Sequence, residues 1–255
     1  MLEVNGVKKR FGSLKALNGV SFFVNSESIV GLIGPNGSGK STLFNIISGF
    51  SPLDAGEVRL RGERIDGLSP DRIAKKGICR TFQVSRAPER LTVLENMLLA
   101  AKDQTGEDPF SSLLRRMAVS RSQKANLEQA MEHLELLKLS HLANEYASNL
   151  SGGQKKLLSL GRTFMRDADC ILLDEPTAGV NPSLTSELVK AIRTIQGERH
   201  KAFLIIEHSM KVISEICDRV CVLNFGELLA EGSPEEIQQD ARVLEAYLTS
   251  AREET

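Results

Sequence analysis

The spacing of apolar positions changes along this chain and predicts where its strands and helices lie. Short apolar runs at 2–4, 20–24 and 58–60 are separated by Gly and Asn, a pattern typical of antiparallel strands joined by turns. A continuous apolar run at 29–33 ends in a Gly-rich loop, and an amphipathic segment follows at 42–48. The first part of the chain is therefore predicted to combine a small antiparallel sheet with a strand-loop-helix unit.

The pattern becomes helical between about 92 and 139. Thr92 and Glu95 have the spacing of a capping box, in which each side chain bonds the backbone of the other residue at the start of a helix. Residues 127–137 keep an apolar face at helical spacing. This stretch is predicted to be a helical insertion.

Strand-like runs return at 170–173, 203–206 and 220–223, with helical segments between them. Strands that alternate with helices favour a mostly parallel sheet covered on both faces. The Ser-Pro-Glu-Glu sequence at 233–236 predicts the start of a C-terminal helix, because Ser caps, Pro is tolerated at the first helical position and Glu reaches back. The predicted fold class is α/β.

Composition places the chain among ordinary globular proteins. Its 255 residues are 41% apolar and 25% charged, with a formal net charge of −1. Nucleic-acid binding normally shows a strong basic excess, so no nucleic-acid partner is expected. No apolar run reaches the roughly 18 residues that span a bilayer, and the start of the chain has no signal-peptide pattern. If this protein works at a membrane, another chain must cross it.

Four cysteines lie in or beside apolar runs: Cys79, Cys170, Cys217 and Cys221. They form no CxxC pair, and no His lies at zinc-ligand spacing. We therefore expect buried, reduced thiols.

The Gly-rich loop and the start of the next helix form a phosphate loop, consisting of Gly34, Pro35, Asn36, Gly37, Ser38, Gly39, Lys40, Ser41 and Thr42. Its glycines let backbone N–H groups turn toward phosphate oxygens, and the helix adds the positive end of its dipole. Lys40 can neutralise phosphate charge, and the Ser41 hydroxyl can ligate Mg²⁺. The alternative is a chance Gly-rich turn. The strand before the loop and the helix after it favour nucleotide binding.

An acidic pair, Asp174 and Glu175, ends the apolar run at 170–173. Ligands of parallel sheets lie at the carboxyl ends of strands, so the pair is placed to reach a bound nucleotide. Asp174 is expected to hold Mg²⁺, and Glu175 to accept a proton from the attacking water or to orient it. The alternative is that these carboxylates only cap the next helix.

The segment Leu150-Ser151-Gly152-Gly153-Gln154 precedes the acidic pair and predicts a helix N-terminus. Ser151 is a capping residue, and the amides of Gly152 and Gly153 make a second anion site. With the phosphate loop and the acidic pair, this segment makes the chain resemble the nucleotide-binding subunit of an ATP-binding cassette (ABC) transporter over essentially its whole length.

That resemblance implies a P-loop NTPase cassette spanning 1–255 as a single nucleotide-binding domain. Its parts would be an N-terminal antiparallel β-subdomain, a RecA-like core with a mostly parallel sheet, and a helical subdomain inserted at about 84–160. In the family, the segment matching Ser151, Gly152, Gly153 and Gln154 closes over the ATP of a partner cassette. Two cassettes thus enclose two nucleotides, and a lone chain is expected to be a poor ATPase.

Three further positions take roles from the resemblance. Gln83 matches the glutamine that senses Mg²⁺ or the attacking water, His208 matches the switch histidine that contacts the γ-phosphate, and Phe11 matches the aromatic residue that stacks on adenine. The alternatives are a solvated glutamine, a histidine without a catalytic role and a core aromatic. Phe22 and Phe23, near Phe11 in the sequence, are core candidates.

The chain departs from many cassettes at Asn181, where an Asp is common. Asn keeps hydrogen-bonding capacity but has no charge. An ionic contact across the dimer at this position is therefore in doubt.

The sequences at 80–83, 91–96, 206–208 and 230–237, with the long insertion at 102–124, look most like cassettes of branched-chain amino-acid importers. Urea-type and lipopolysaccharide-export cassettes share several of these features. The resemblance implies an ATPase that uses ATP and Mg²⁺ at the cytoplasmic face of the cell membrane. Its partners would be a second cassette, integral-membrane permease subunits and, through them, an extracytoplasmic binding protein.

The competing hypothesis is a soluble ABC ATPase that acts as a nucleotide-dependent scaffold in a cytosolic assembly complex. Three points stay open at this stage: the transported molecule, import versus export, and whether the partner cassette is an identical chain or a homologue.

Overall fold

Two β-sheets organise the protein, whose computed structural model describes residues 1–81, 87–102 and 116–253. The strands in these residues are β1 Leu2–Phe11, β2 Leu14–Val24, β3 Ile29–Ile33, β4 Ala55–Leu60, β5 Glu63–Arg64, β6 Ile78–Arg80, β7 Cys170–Asp174, β8 Ala202–Ile206, β9 Arg219–Asn224 and β10 Glu227–Gly232. The helices are α1 Lys40–Ile47, α2 Pro70–Lys75, α3 Val93–Leu99, α4 Arg116–Leu136, α5 Gly152–Phe164, α6 Pro182–Arg199, α7 Met210–Ile216, α8 Pro234–Gln239 and α9 Ala241–Glu253.

The smaller sheet has the strand order β2-β1-β4-β5, and all its pairs are antiparallel. The prediction of antiparallel strands near the N-terminus is confirmed. Strand β1 continues to Phe11, well beyond the apolar run at 2–4, because its polar residues still pair with β2. Phe22 is buried, as expected, but Phe23 on the next position is 46% exposed. The expectation that Phe23 is a core residue was wrong, because successive side chains of a strand point to opposite faces.

The larger sheet has the order β10-β9-β3-β8-β7-β6. Strands β9, β3, β8, β7 and β6 run parallel to one another, and β10 pairs antiparallel with β9 at one edge. The predicted mostly parallel sheet of an α/β fold is therefore confirmed. Strand β3 lies beside β8, which in turn lies beside β7, so the carboxyl ends of these three strands share one edge.

Both faces of the parallel sheet are covered. On one face, Leu204 and Ile206 belong to the same buried cluster as Phe44 of α1 and residues of the smaller sheet. On the other face, a Cβ atom added to Gly31 would lie 3.0 Å from Ile213 of α7 and from the Cys217 sulfur. Gly31 thus allows α7 to pack directly on the centre of the sheet.

Helix starts follow the predicted caps. Thr92 and Glu95 form a capping box at α3, and Ser233 and Glu236 form another at α8. The apolar face expected at 127–137 is narrower than predicted. The side chains of Ala130, Leu134 and Leu137 are buried, whereas those of Leu127 and Met131 are exposed.

The chain divides into two compact units. Unit 1 consists of Met1–Arg80, Ala168–Pro176 and Ile192–Thr255, and it contains both sheets. Unit 2 consists of Thr81–Asp167 and Thr177–Ala191 and is helical in its described parts. The stretch at about 84–160 that the sequence assigns to a helical subdomain falls within unit 2. Its status as an insertion in one nucleotide-binding domain stays a prediction.

The cysteines follow the expectation with one difference. Cys170, Cys217 and Cys221 are buried free thiols, and burial raises the pKa of each to about 12. Cys79 is half-buried.

Among the helices of the described ranges, none is long and apolar enough to cross a membrane.

The junction between β3 and the phosphate loop depends on a close backbone approach. Gly34 has a φ of 144°, and a Cβ atom built on it would lie 2.0 Å from the carbonyl oxygen of Leu223 on β9. Gly37, in the same loop, has a φ of 75° but nothing within 4 Å of an added Cβ atom. Alanine substitutions at the two glycines therefore distinguish the cost of a steric clash with the backbone from the cost of backbone strain alone.

We expect Gly34→Ala to lower the free energy of unfolding by about 3 kcal/mol or more, because the Leu223 carbonyl is part of a sheet and cannot move away. Gly37→Ala introduces only the left-handed strain of about 1–2 kcal/mol. Urea denaturation of both variants measures the difference. Equal losses for the two variants would contradict the steric argument.

Candidate functional site

A cleft of about 360 Å³ lies where the phosphate loop meets the carboxyl edge of the parallel sheet. The sheet places the loop after β3, His208 after β8 and Glu175 after β7, on three adjacent strands. The cleft is lined by Phe11, Leu14, Lys15, Ala16, Asn36, Gly37, Ser38, Gly39, Lys40, Ser41, Thr42, Glu175, His208 and Phe225. All these residues belong to unit 1. The structure therefore brings together most of the positions that the sequence assigned to nucleotide binding and catalysis.

Lys40 begins helix α1 and is the buried cation of the phosphate loop, with 7% of its surface exposed. Its ammonium group donates to the carbonyl oxygens of Gly34 at 2.7 Å and Pro35 at 2.8 Å. Burial lowers the pKa of Lys40, and the charges of Glu175 and Asp174 oppose that shift. Both carboxylates thus lie close enough to interact electrostatically with the Lys40 ammonium group. A buried ammonium group in this loop is suited to binding phosphate oxygens.

Gly39 precedes α1 at a φ of 106° and gives the helix no side-chain cap. A Cβ atom at this position would lie 2.7 Å from the carbonyl oxygen of Ala16, so only glycine fits there without displacement. The loop backbone is held close to β2, and the first N–H groups of α1 have no competing side-chain acceptor at Gly39. Such an N-terminus favours a bound anion.

Asp174, at the end of β7, is held by a buried arginine that the sequence did not identify as functional. Arg80 ends β6, and its Nη2 donates to Asp174 Oδ2 at 2.9 Å. Its Nη1 donates to Asn45 Oδ1 at 2.7 Å and to Ser48 Oγ at 3.1 Å, both on or just after α1. The two side chains of the ion pair are only 9% and 13% exposed. Arg80 therefore fixes the Asp174 carboxylate relative to the helix that follows the phosphate loop.

Glu175 and His208, two of the predicted catalytic residues, are in direct contact. His208 Nε2 lies 2.9 Å from Glu175 Oε1. Glu175 has a positive φ of 48°, which is uncommon for a residue with a side chain, and its N–H donates to the Ile206 carbonyl at 3.0 Å. Non-glycine residues with such a strained backbone are often found at functional sites. The contact holds the carboxylate at the cleft wall.

The alternative role for the acidic pair, capping the next helix, does not fit the structure. Helix α6 begins at Pro182, and Asn181 caps it: Asn181 Oδ1 accepts from the Leu184 N–H at 2.9 Å and from the Ser183 hydroxyl at 2.8 Å. Asn is among the best capping residues. The departure at Asn181 thus has a local structural role within unit 2.

The segment 151–154 begins helix α5, as predicted. Ser151 Oγ accepts from the Gln154 N–H at 3.3 Å, and Gln154 Oε1 accepts from the Ser151 N–H at 2.9 Å, which completes a capping box. A Cβ atom on Gly152 would meet nothing within 4 Å, whereas one on Gly153 would lie 2.7 Å from a methyl group of Leu184. Ser151 and Gly152 are exposed, so this helix end is accessible to a ligand.

Phe11 lines the cleft and is 53% exposed, so it is not the core aromatic of the alternative interpretation. The Lys9 ammonium nitrogen lies 5.4 Å from the centre of its ring.

Gln83, the third predicted catalytic residue, lies outside the described residues. Its expected role in sensing Mg²⁺ stays a prediction.

The oxygen donors present fit a magnesium ion bound with a nucleotide. Mg²⁺ is usually held in such sites by one or two carboxylates or hydroxyls together with phosphate oxygens and water. The cleft offers the Ser41 hydroxyl, and Asp174 has its second carboxylate oxygen, Oδ1, beside the oxygen that Arg80 engages. The donor set therefore suits a metal that arrives with phosphate ligands.

Comparisons with known proteins find ATP-binding subunits, as the phosphate loop in the cleft would suggest. Residues 17–178 match the ABC transporter family, and residues 227–248 match the branched-chain amino acid ATP-binding cassette transporter family. The chain is 41% identical over 251 residues to the high-affinity branched-chain amino acid transport ATP-binding protein LivG of Salmonella typhimurium, with 98% of each chain covered. It is 40% identical, at the same coverage, to BraF of Pseudomonas aeruginosa, which has the same description.

A solved structure is similar to this chain over nearly its whole length. The ADP conformation of an ATP-binding cassette of an ABC transporter has a TM-score of 0.82 and 37% identity. The alignment covers 97% of this chain and 98% of that one.

The Arg80–Asp174 pair gives a test of the site's electrostatics. We expect Arg80→Met to lower the free energy of unfolding by about 3–5 kcal/mol, because it leaves the Asp174 carboxylate without its buried cation. The control is Arg61→Met, which removes an exposed ion pair with Asp169 and should cost less than about 1 kcal/mol. Urea denaturation compares the two variants. A loss at Arg80 no larger than that at Arg61 would show that the pair does not stabilise the site.

Proposed function

The chain belongs to the ABC transporter family of ATP-binding subunits, and from that premise we propose that it hydrolyses ATP to power the uptake of branched-chain or related amino acids. The observation that supports the ATPase part most strongly is the cleft itself. The phosphate loop, Glu175 and His208 line a single cavity at the carboxyl ends of adjacent parallel strands.

The phosphates of ATP are proposed to lie on the phosphate loop at 34–42, against the backbone N–H groups of residues other than Pro35, with Lys40 neutralising β- and γ-phosphate charge. Glu175 then orients a water molecule and accepts its proton as the water oxygen attacks the γ-phosphorus. The bond from that phosphorus to the bridging oxygen breaks, and ADP leaves with the electron pair. The contact between His208 and Glu175 at 2.9 Å supports a role for His208 in holding this carboxylate and steadying the γ-phosphate.

Ser41 and Asp174 are proposed to hold the Mg²⁺ that accompanies ATP, with Gln83 as a further ligand or sensor. The ion would supply charge neutralisation at the transferred phosphoryl group. Arg80 keeps the Asp174 carboxylate in place, as its hydrogen bonds to Asp174, Asn45 and Ser48 indicate.

The second half of each nucleotide site is proposed to come from another cassette, identical or homologous. The capping box of the segment Ser151, Gly152, Gly153 and Gln154 uses the N–H groups of its first and last residues and does not involve those of the two glycines. The glycine N–H groups at this helix end are proposed to bind the anion, as expected for a segment that closes over a partner's ATP. ATP then joins the two cassettes, and hydrolysis lets them separate. This movement would be passed through the Gln83 region and the helical subdomain to a permease.

The substrate proposal rests on the relatives and on residues 227–248. LivG and BraF are described as branched-chain amino acid transport ATP-binding proteins, and residues 227–248 match a family with the corresponding description. Integral-membrane permease subunits and an extracytoplasmic binding protein are the proposed partners, with the chain at the cytoplasmic face of the cell membrane. The scaffold hypothesis is not favoured, because the match to transport ATP-binding proteins extends over 98% of the chain.

We expect Glu175→Gln to bind ATP but to reduce turnover by about 100-fold or more, because the amide cannot accept the proton. The ATP-bound dimer should then accumulate, since it no longer hydrolyses its nucleotide. Phosphate release and size-exclusion chromatography with ATP measure these effects. Wild-type phosphate release by the variant would remove Glu175 from the general-base role.

A second variant tests whether the site is shared between two cassettes. Gly152→Asp places a negative charge where a partner's γ-phosphate is expected, and the space around Gly152 accommodates the side chain. We expect this variant to bind ATP normally through its own phosphate loop but to lose turnover in the assembled transporter. Gly152→Ala is the uncharged control and should retain turnover. Unchanged turnover of Gly152→Asp, or vigorous ATPase activity of a strict monomer, would contradict the shared site.

A further inference from the structure

An exposed aromatic side chain at a strained backbone position borders the nucleotide cleft. Phe225 is 73% exposed and has a φ of 44°. Exposure of a large apolar side chain and a left-handed backbone are both unfavourable for folding. Strained residues of this kind often serve a ligand rather than the fold.

Phe225 and Gly226 form the two-residue turn between β9 and β10, where Asn224 pairs with Glu227. Both turn residues have positive φ, as a type I′ turn requires. Asn or Asp is the usual first residue of this turn because it tolerates the conformation. Folding alone would favour Asn at position 225, so the presence of Phe needs another explanation.

The turn is fixed against the phosphate loop. The Gly226 N–H donates to the Ser38 carbonyl at 3.1 Å, and the Gly226 carbonyl accepts from the Asn18 N–H at 2.8 Å. A Cβ atom on Gly226 would lie 2.7 Å from the Ala16 carbonyl oxygen. The turn therefore bridges β2 and the phosphate loop in close contact, and Phe225 is held at the border of the cleft.

Two hairpin turns supply the apolar part of the cleft wall. Phe11 and Leu14 flank the turn between β1 and β2, and Phe225 lies in the turn between β9 and β10. All three side chains are exposed. The remaining lining is mainly the phosphate loop with Glu175 and His208, which suits phosphate groups. Exposed apolar residues gathered at one cleft indicate a ligand with a flat apolar part.

We propose that Phe225 contacts the nucleobase of the bound nucleotide, so that the base is recognised by an aromatic pair, Phe11 and Phe225, rather than by Phe11 alone. The inference rests on the proposed function, because it assumes that the phosphates of the same nucleotide lie on the phosphate loop. Contacts between a base and an aromatic ring are tolerant of the base's identity and strengthen binding. Phe225 would thus add affinity for nucleotides over phosphate alone.

The test compares ATP with inorganic tripolyphosphate, which has the phosphates but no base. Phe225→Asn removes the ring and places a favoured residue at the turn, so the melting temperature should be unchanged or higher. We expect this variant to bind ATP about tenfold more weakly than wild type and tripolyphosphate with unchanged affinity. Isothermal titration calorimetry of the full chain measures both ligands. Phe225→Tyr, which keeps an aromatic ring, should restore ATP affinity.

The matched control is Phe50→Asn, which removes another exposed phenylalanine that does not line the cleft. It should leave both affinities unchanged. ATP affinity of Phe225→Asn equal to wild type would overturn the inference, and so would an equal loss for ATP and tripolyphosphate, because that would assign the effect to the loop. Failure of the wild-type chain to bind ATP would instead reject the proposed function, and this inference with it.

Discussion

The parallel pairing of β3, β8 and β7 is the constraint on which the candidate site depends. Parallel strands place their carboxyl ends at one edge of a sheet. Here the register pairs Leu32 of β3 and Asp174 of β7 with the same residue of β8, Ile206. The phosphate loop, the acidic pair and His208 consequently emerge side by side, although they are far apart in sequence. A change of strand order would separate them even if every residue were kept.

The buried charges at this edge of the sheet also need partners of opposite charge or polarity. Lys40 and Arg80 are nearly buried cations, and Asp174 and Glu175 are the carboxylates close to them. Lys40 is surrounded by loop carbonyls, whereas Arg80 is held by Asp174, Asn45 and Ser48. A buried charge is tolerated only when such partners are present. The same arrangement that pairs these charges therefore places a positive loop and a fixed carboxylate at the proposed nucleotide site.

Backbone positions that only glycine can occupy connect the fold to the cleft. Gly34, Gly39 and Gly226 each approach a carbonyl oxygen of a neighbouring strand so closely that a Cβ atom would collide with it. These contacts bring the phosphate loop, β2 and the β9–β10 turn into one compact layer. Glu175 and Phe225 tolerate the same region of φ without being glycine, and both line the cleft. Other described non-glycine residues with positive φ, among them Glu27 and His200, do not line the cleft, so backbone strain of this kind is present at the cleft but not confined to it.

Local patterns in the sequence determined the apolar centres of most strands, the capping boxes at Thr92, Ser151 and Ser233, and the chemical types of the phosphate loop and acidic pair, because these features depend on neighbours a few residues away. They did not predict β5, whose two residues are polar and exposed, or β10, and these segments are strands because they pair with β4 and β9. The alternatives at Phe11 and at Asp174 with Glu175 were decided only by tertiary structure. Whether a phenylalanine is exposed, or which residue caps a helix, depends on packing. The sequence missed Arg80 and Phe225 for the same reason. Asp174, which binds Arg80, and the phosphate loop, which binds Gly226 beside Phe225, lie far along the chain and are brought near by the sheet order.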